Sequence, residues 1–196
     1  SIFSKLFKKS TPQHGIVLYY LIAIVVAFLL LNLPFVHKPG VKVSPIDTLF
    51  VAVSGISVTG LTPVSIIDTY SSFGQLIILI ILNIGGIGVM AIGTVLWVVL
   101  GKHIGMRERQ LIMLDNNKDT MSGTVKLIIE IVKTIMTIEI VGALLLAFYF
   151  YRDNPDLKNA LMQGLFVSIS ATTNGGLDIT GQSLVPYAKD YFVQTI

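Results

Sequence analysis

The chain has 196 residues, of which 53% are hydrophobic and only 13% are charged, with a net charge of +3. A soluble domain carries about 25% charged residues, so this chain has too few charges to cover a globule of its size. The composition excludes an ordinary soluble domain and indicates a protein that lies in a lipid bilayer. Its basic residues cluster beside apolar runs, which argues against nucleic acid as a partner. The absence of cysteine excludes disulfides and thiolate metal sites.

The first apolar run, residues 16–36, follows three lysines, Lys5, Lys8 and Lys9. A membrane-spanning helix needs about 20 apolar residues, which this run provides. It is too long for the apolar core of a signal peptide, and no small-residue cleavage motif follows it. We therefore expect a retained span that is preceded by a cytoplasmic N-terminus, residues 1–15.

A shorter apolar segment, residues 46–57, comes next. Twelve residues are too few to span a bilayer and are typical of a re-entrant or buried helix. Ser44 is a suitable cap, Pro45 suits the first helical position, and Asp47 falls in the first turn, where a negative charge is favourable. Glycine and proline in residues 58–63 should end the helix.

Two further runs, residues 73–100 and 124–151, are long enough to span, and another apolar run begins near Tyr187. The loop between the two, residues 101–123, is rich in lysine and arginine, whereas residues 38–71 carry few basic residues. Because basic residues concentrate on the cytoplasmic side, we expect that loop to be cytoplasmic and residues 38–71 and 152–190 to face outside. The result is a multi-pass protein with a cytoplasmic N-terminus.

The short apolar segment recurs after the third span. Asn154 and Pro155 repeat the cap and the first helical position, an apolar helix should run to Thr172, and residues 173–178 should end it. Without gaps, LFVAVSGISVTGLT (residues 49–62) aligns with LFVSISATTNGGLD (residues 165–178). The identical pairs are Leu49/Leu165, Phe50/Phe166, Val51/Val167, Ser54/Ser170, Gly60/Gly176 and Leu61/Leu177.

Four motifs carry a resemblance to known proteins: SVTGL at 57–61, TNGGL at 173–177, NIGGIG at 83–88 and GMRERQ at 105–110. With these, the chain resembles the Ktr/Trk/HKT superfamily of potassium transporters, and within it the membrane subunits of bacterial Ktr systems. The resemblance implies an all-α membrane protein with repeated units of transmembrane helix, re-entrant pore helix with filter loop, and transmembrane helix. Four such units would surround one pore in the bacterial cell membrane.

On this resemblance, residues 16–100 form the first unit and residues 124–196 most of the second, whose last helix is truncated, so that the chain is the N-terminal half of a subunit. The resemblance also implies potassium translocation with a possible dependence on sodium. The expected partners are a second copy of the subunit, in a homodimer, and a cytosolic ring of nucleotide-binding RCK regulatory subunits. The basic loop at 101–123 is a plausible contact for that ring.

The expected ion ligands are backbone carbonyls, which replace the hydration water of a cation in a selectivity filter. The candidate residues are Val58, Thr59 and Gly60, with Asn174, Gly175 and Gly176 by the alignment. Glycine suits such a strand because it adopts a positive φ without penalty. Either Gly175 or Gly176 could be the essential glycine of the second copy, and both Gly60 and Gly176 could instead be plain turn glycines.

Several other residues have two readings. Glu139, near the middle of the third span, is either functional or a structural partner of a polar group on another helix. Asn83 either lines the pore or bridges helices. Glu130 should form an ion pair with Lys126 or Lys133. A group of four glycines should allow close helix packing: Gly85, Gly86, Gly88 and Gly93.

Two other classes of function compete with a cation pore. A membrane scaffold or anchor subunit would not need a duplicated re-entrant segment. An intramembrane enzyme would need a catalytic pair on its spans, and no such pair is visible, so that we do not expect an enzyme.

Overall fold

The computed structural model describes residues 12–99, 106, 109–110, 123–153, 155–177, 179 and 185–195. In these residues the regular structure is helical, apart from one isolated β-bridge between His37 and Tyr70. The helices are α1 (Pro12–Leu31), α2 (Pro45–Ile56), α3 (Ile66–Thr69), α4 (Ser72–Ile87), α5 (Val89–Val99), α6 (Thr124–Asp153), α7 (Leu157–Thr172) and α8 (Tyr191–Thr195), with a 3-10 turn at Val185–Tyr187. The all-α class is confirmed for this part of the chain. Residues 1–11 and most of the loop 101–123 lie outside it.

Two of the described helices contain stretches that are long and apolar enough to cross a membrane, His14–Leu31 in α1 and Val125–Arg152 in α6. A stripe of large apolar side chains runs along one face of α1 at intervals of four residues. It consists of Val17, Leu21, Val25 and Leu29, each more than half exposed. Such a stripe is suited to lipid or to a further helix, since it would be unfavourable in water.

The predicted second span is not one continuous helix, which corrects the prediction for residues 73–100. It is divided at Gly88 into α4 and α5. Gly88 has φ 101° and ψ 131°, a conformation that only glycine adopts without strain and that interrupts helical hydrogen bonding. The last glycine of the NIGGIG motif therefore breaks the helix rather than packing it.

The start of α2 is as predicted. Ser44 accepts a hydrogen bond from the main-chain N–H of Ile46, Pro45 is the first helical residue, and Asp47 lies in the first turn. In contrast, α1 ends at Leu31 rather than at Val36, because Pro34 lacks the N–H that a continuing helix requires and residues 32–36 form turns instead.

The predicted start of α7 was wrong. Asp156 is its cap and accepts hydrogen bonds from the main-chain N–H groups of Lys158 and Asn159. Pro155 therefore precedes the cap instead of occupying the first helical position, and Asn154 lies outside the described residues. A carboxylate with two main-chain donors is a stronger cap than the amide that the sequence pattern suggested.

The start of α8 also differs from the prediction, which placed it near Tyr187. Asp190 accepts hydrogen bonds from the main-chain N–H groups of Phe192 and Val193, so α8 begins after it. The hydroxyl of Tyr149 also donates to Asp190, and these hydrogen bonds lower the pKa of the carboxyl.

The main core lies around α4, which packs against α1, α2 and α7. Each of α1, α2, α4 and α7 contributes side chains that are at most 2% exposed, among them Leu31, Ile56, Ile78, Leu82 and Phe166. The long helix α6 packs against α7, which is the second short helix, as α1 packs against α2, the first short helix. Because α4 contacts both α2 and α7, it brings the C-terminal ends of these two helices together.

Candidate functional site

The first glycine segment, residues 57–61, leaves the end of α2 through a tight turn. The main-chain N–H of Ser57 donates to Val53 O (2.8 Å), that of Val58 to Gly55 O (3.3 Å), and that of Thr59 to Ser54 O (2.9 Å). The turn requires Val58 to adopt a φ of +54°. A positive φ is rare for a β-branched residue, because its side chain crowds the backbone.

The second glycine segment, residues 173–177, leaves α7 through the same turn. Thr173 donates to Ile169 O (2.9 Å), Asn174 to Ala171 O (3.2 Å), and Gly175 to Ser170 O (2.8 Å), each through its main-chain N–H. Asn174 has φ +55°, which matches Val58 in the first segment. The last turn of each helix is closed further by a hydroxyl, from Ser57 to Val53 O in α2 and from Thr173 to Ile169 O in α7.

Each segment then passes through a glycine with a positive φ, Gly60 at +76° and Gly176 at +63°, whereas Gly175 has no positive φ. The two segments touch at these glycines. A Cβ added to Gly60 would collide with the carbonyl oxygen of Gly175 and lie 3.1 Å from Gly176 Cα. Backbone conformation and space therefore both require glycine at position 60.

The carbonyl groups of both segments are left free. Among the described residues, no hydrogen bond is made to the carbonyl oxygens of 58–60 or of 174–176. Of the six residues only Gly175 is buried. A carbonyl without an internal donor can bind water or a cation, and bare backbone at membrane depth occurs only beside a cavity or other protein. The negative ends of the α2 and α7 dipoles lie at the same place and also favour a cation.

Two glycines of α4 pack closely against the chain where the two short helices end. A Cβ on Gly85 would lie 2.5 Å from the carbonyl oxygens of Gly55 and Ile56, and one on Gly86 would lie 2.6 Å from Thr173 Cγ2. Close packing was predicted for these two glycines. The same prediction of close packing was wrong for Gly93, because a Cβ added there would meet no atom of the described residues within 4 Å.

Asn83 and Glu139, the two residues with alternative readings in the apolar helices, pair with each other. Glu139 in α6 is 2% exposed, and its carboxyl is hydrogen-bonded to the side chain of Asn83 in α4. The main-chain carbonyl of Glu139 accepts from the hydroxyl of Ser168 (2.8 Å) in α7. Asn83 therefore bridges helices. On the exposed surface of α6, Glu130 pairs with Lys133 at 3.2 Å.

The sequence reasoning missed one anchor of the second segment. The hydroxyl of Ser170 donates to Leu177 O (2.8 Å), and Leu177 is buried. The repeated serine, Ser54 in the first copy and Ser170 in the second, could have indicated this anchor. The equivalent hydroxyl of Ser54 is buried, and it has no hydrogen-bond partner in the described part of the chain.

The described residues contain no group of three or more His, Asp or Glu side chains that could hold a metal ion. Side-chain clusters of that kind are the usual alternative to a carbonyl site for a bare cation. The six carbonyls of residues 58–60 and 174–176 stay the candidate ligands that the sequence predicts.

Comparison with known proteins agrees with a role in cation transport. Residues 11–196 match the family model TrkH, described as a cation transport protein. The chain is 48% identical over 194 residues to Ktr system potassium uptake protein D of Bacillus subtilis, which covers 99% of this chain and 43% of that protein. It is 33% identical to the potassium/sodium uptake protein NtpJ of Enterococcus hirae, over 91% of this chain and 39% of the relative.

Ktr system potassium uptake protein B of Bacillus subtilis is 32% identical over 95% of this chain and 41% of the relative. The chain thus spans less than half the length of the curated relatives that it matches. The family match covers nearly the whole chain and includes both glycine segments. This chain belongs to the TrkH family of cation transport proteins.

Proposed function

We propose that the chain forms part of a potassium-translocating pore, in which residues 58–60 and 174–176 supply main-chain carbonyls to a selectivity filter. The observation that carries the proposal is the pair of matched turns, in which the same three carbonyls of each segment accept no hydrogen bond from the described residues. Carbonyl oxygens held at fixed positions can replace the hydration shell of K⁺. The names of three relatives, two for potassium uptake and one for potassium/sodium uptake, support K⁺ as the cargo and admit Na⁺.

The proposed pore has four units, of which this chain supplies residues 16–100 and 124–196, joined by a cytoplasmic loop at 101–123. Two filter strands in contact cannot enclose an ion, so the remaining ligands come from the rest of the subunit. The whole protein is a multi-pass protein of the cell membrane with a cytoplasmic N-terminus. It forms a homodimer on a cytosolic RCK ring, a proposal that rests on the resemblance to Ktr systems.

A scaffold or anchor subunit is the second candidate, and the backbone geometry weighs against it. Val58 is held in a conformation that costs free energy for a β-branched residue, and a plain loop would not retain that strain. Strained backbone is typical of sites where its geometry serves a function. No observation favours an enzyme.

The test is ion selectivity of the full-length protein that carries Gly60→Ser, measured as K⁺ and Na⁺ uptake in a strain that lacks its own potassium uptake. We expect a loss of discrimination between the two ions of roughly tenfold, about 1.4 kcal/mol, because the added Cβ displaces the Gly175 carbonyl. Gly93→Ser is the matched control, since an added Cβ at Gly93 meets no described atom within 4 Å. Wild-type selectivity at normal membrane expression would remove Gly60 from the filter.

A second comparison decides the register of the second segment. Gly176→Ser should impair selectivity more than Gly175→Ala, because Gly176 has the positive φ and Gly175 does not. A Cβ at Gly175 would press on the end of the Leu82 side chain at 2.8 Å, which can move. The reverse order would shift the second filter by one residue, and wild-type behaviour of both variants would reduce residues 174–178 to a loop.

A further inference from the structure

The buried pair of Asn83 and Glu139 has hydrogen-bonding capacity that the observed contact does not use. The carboxyl of Glu139 is hydrogen-bonded to the side chain of Asn83, which can donate only through its amide nitrogen. This hydrogen bond leaves one oxygen of the carboxyl and the oxygen of the amide unused. Glu139 Oε1 and Asn83 Oδ1 are both buried, and neither has a partner among the described residues.

Both remaining atoms are acceptors if Glu139 is ionised, so that they cannot satisfy each other. Two unpaired acceptors on one buried pair, one of them charged, would be strongly unfavourable. Among the described residues, no basic side chain of α4, α5 or α7 offers compensation. Helices α4 and α5 contain no charged residue, and the single one in α7, Lys158, is exposed at the start of that helix.

A proton on the carboxyl of Glu139 would give both unpaired acceptors a hydrogen bond. A hydroxyl on Glu139 Oε1 can donate to Asn83 Oδ1 while Asn83 Nδ2 donates to the other carboxyl oxygen, which closes a ring of two hydrogen bonds. A bound metal cation is the rival explanation. It would need about six oxygen ligands or more, and the described residues offer only two unpaired oxygens here.

We infer that Glu139 carries a proton in the folded protein and joins Asn83 in a neutral clamp of two hydrogen bonds between α6 and α4.

The position of the clamp gives it a role in holding the glycine segments. Asn83 lies two residues before Gly85, which packs against the end of α2, directly before the first segment. Gly86 packs against Thr173 at the start of the second segment. On the other side of the clamp, the main chain of Glu139 holds Ser168 of α7, which leads into the second segment. Asn83 and Glu139 are therefore positioning residues for both segments, a role that rests on the proposed function.

The protonation is tested by infrared difference spectroscopy of the purified full-length protein, which does not depend on ion transport. The difference between wild type and Glu139→Gln should contain the C=O stretching band of a protonated carboxylic acid. Glu130→Gln is the matched control on the same helix, where the exposed carboxylate pairs with Lys133 and should give no such band. Asn83→Leu should shift the band, because it removes both hydrogen bonds. A wild-type spectrum without the band would overturn the proposal.

Thermal unfolding tests the two-bond geometry. Gln at 139 can accept from and donate to Asn83, so Glu139→Gln should keep the Tm, whereas Glu139→Leu and Asn83→Leu should each lower it by a few degrees. The double variant should recover part of that loss, because it leaves neither partner unpaired. A bound cation is indicated instead if Glu139→Gln loses as much as Glu139→Leu, or if replacing Na⁺ and K⁺ by choline lowers the Tm of the wild type more than that of Glu139→Gln.

The positioning role is tested by uptake at matched expression. Asn83→Leu should reduce the discrimination between K⁺ and Na⁺ several-fold relative to Glu130→Gln. Unchanged discrimination, together with the infrared band, would confine the clamp to stability and overturn its positioning role without touching the carbonyl filter.

Discussion

The two glycine segments have the same backbone but are built from different side chains. Val58 and Asn174 occupy equivalent positions with φ values of +54° and +55°, although one residue resists that conformation and the other tolerates it. The hydrogen bonds that close the two turns are equivalent in every donor and acceptor position. The comparison teaches that the end of the short helix and the following glycine dictate the turn, and that the side chain in between follows.

The segments differ in how they are held. The second is pinned by the bond from Ser170 to the carbonyl of Leu177, and Leu177 is 3% exposed. In the first segment the equivalent Leu61 is 61% exposed, and the hydroxyl of Ser54 is unpaired among the described residues. The first segment instead depends on its close contact with residues 175 and 176 at Gly60.

The largest difference in stability is expected between Gly60→Ala and Gly176→Ala in the full-length protein. Both variants place a Cβ on a residue with positive φ, at a cost of about 1–2 kcal/mol. Gly60→Ala also drives that Cβ into the backbone of the second segment, whereas a Cβ at Gly176 would lie at an ordinary 3.6 Å from Gly60 Cα. Gly60→Ala should therefore lose about 3 kcal/mol or more of unfolding free energy in total, against about 1–2 kcal/mol for Gly176→Ala.

Thermal unfolding of the purified variants measures this difference. Equal losses in Tm would show that the contact between the segments relaxes in the complete subunit. The two segments would then differ in how they are held but not in how much stability their glycines contribute.

Much of the fold followed from length and capping patterns. The first short helix was placed correctly, because Ser44 and Pro45 form a local start signal that needs no tertiary contact. The boundary at Asp156 was missed because Asp153, Asn154 and Asp156 stand close together, and main-chain geometry selects among them. The boundary at Asp190 was missed because the apolar run was counted from Tyr187, without regard to Asp190 as a cap. The break at Gly88 was missed because an apolar run carries no periodic signal by which a continuous helix differs from two short ones.

The candidate site was predictable where it depends on a repeat. Aligning the two copies predicted six candidate filter positions, whose ion binding stays a prediction, and it already contained the pair Ser54 and Ser170. The contact between the segments, and the partnership of Asn83 with Glu139, join residues far apart in sequence. Such contacts depend on how α4 packs between α2 and α7, which no local pattern determines.

A smaller effect separates Ser170→Ala from Ser54→Ala. Removing the Ser170 hydroxyl leaves the carbonyl of buried Leu177 without its donor, which should cost about 1–2 kcal/mol. Removing the Ser54 hydroxyl deletes a buried polar group that has no partner among the described residues, and should be neutral or slightly stabilising. Thermal unfolding of the two full-length variants gives the comparison. A loss at Ser54 as large as at Ser170 would mean that the rest of the subunit supplies an acceptor for Ser54.

The smallest effect is expected from exchanging the residues at the two matched positive-φ positions. Val58→Asn should relieve backbone strain of about 1 kcal/mol, because asparagine tolerates the left-handed conformation. Val58 is only half-buried, so the apolar contact that it loses offsets part of this gain, and a rise in Tm of about 1–2 °C is expected. The reciprocal Asn174→Val should lower the Tm, because Asn174 is exposed and valine would bury little apolar surface there to offset its backbone strain. If both variants lowered the Tm equally, the two turns would not be equivalent in energy. The identity of each side chain would then matter as much as the helix end that precedes it.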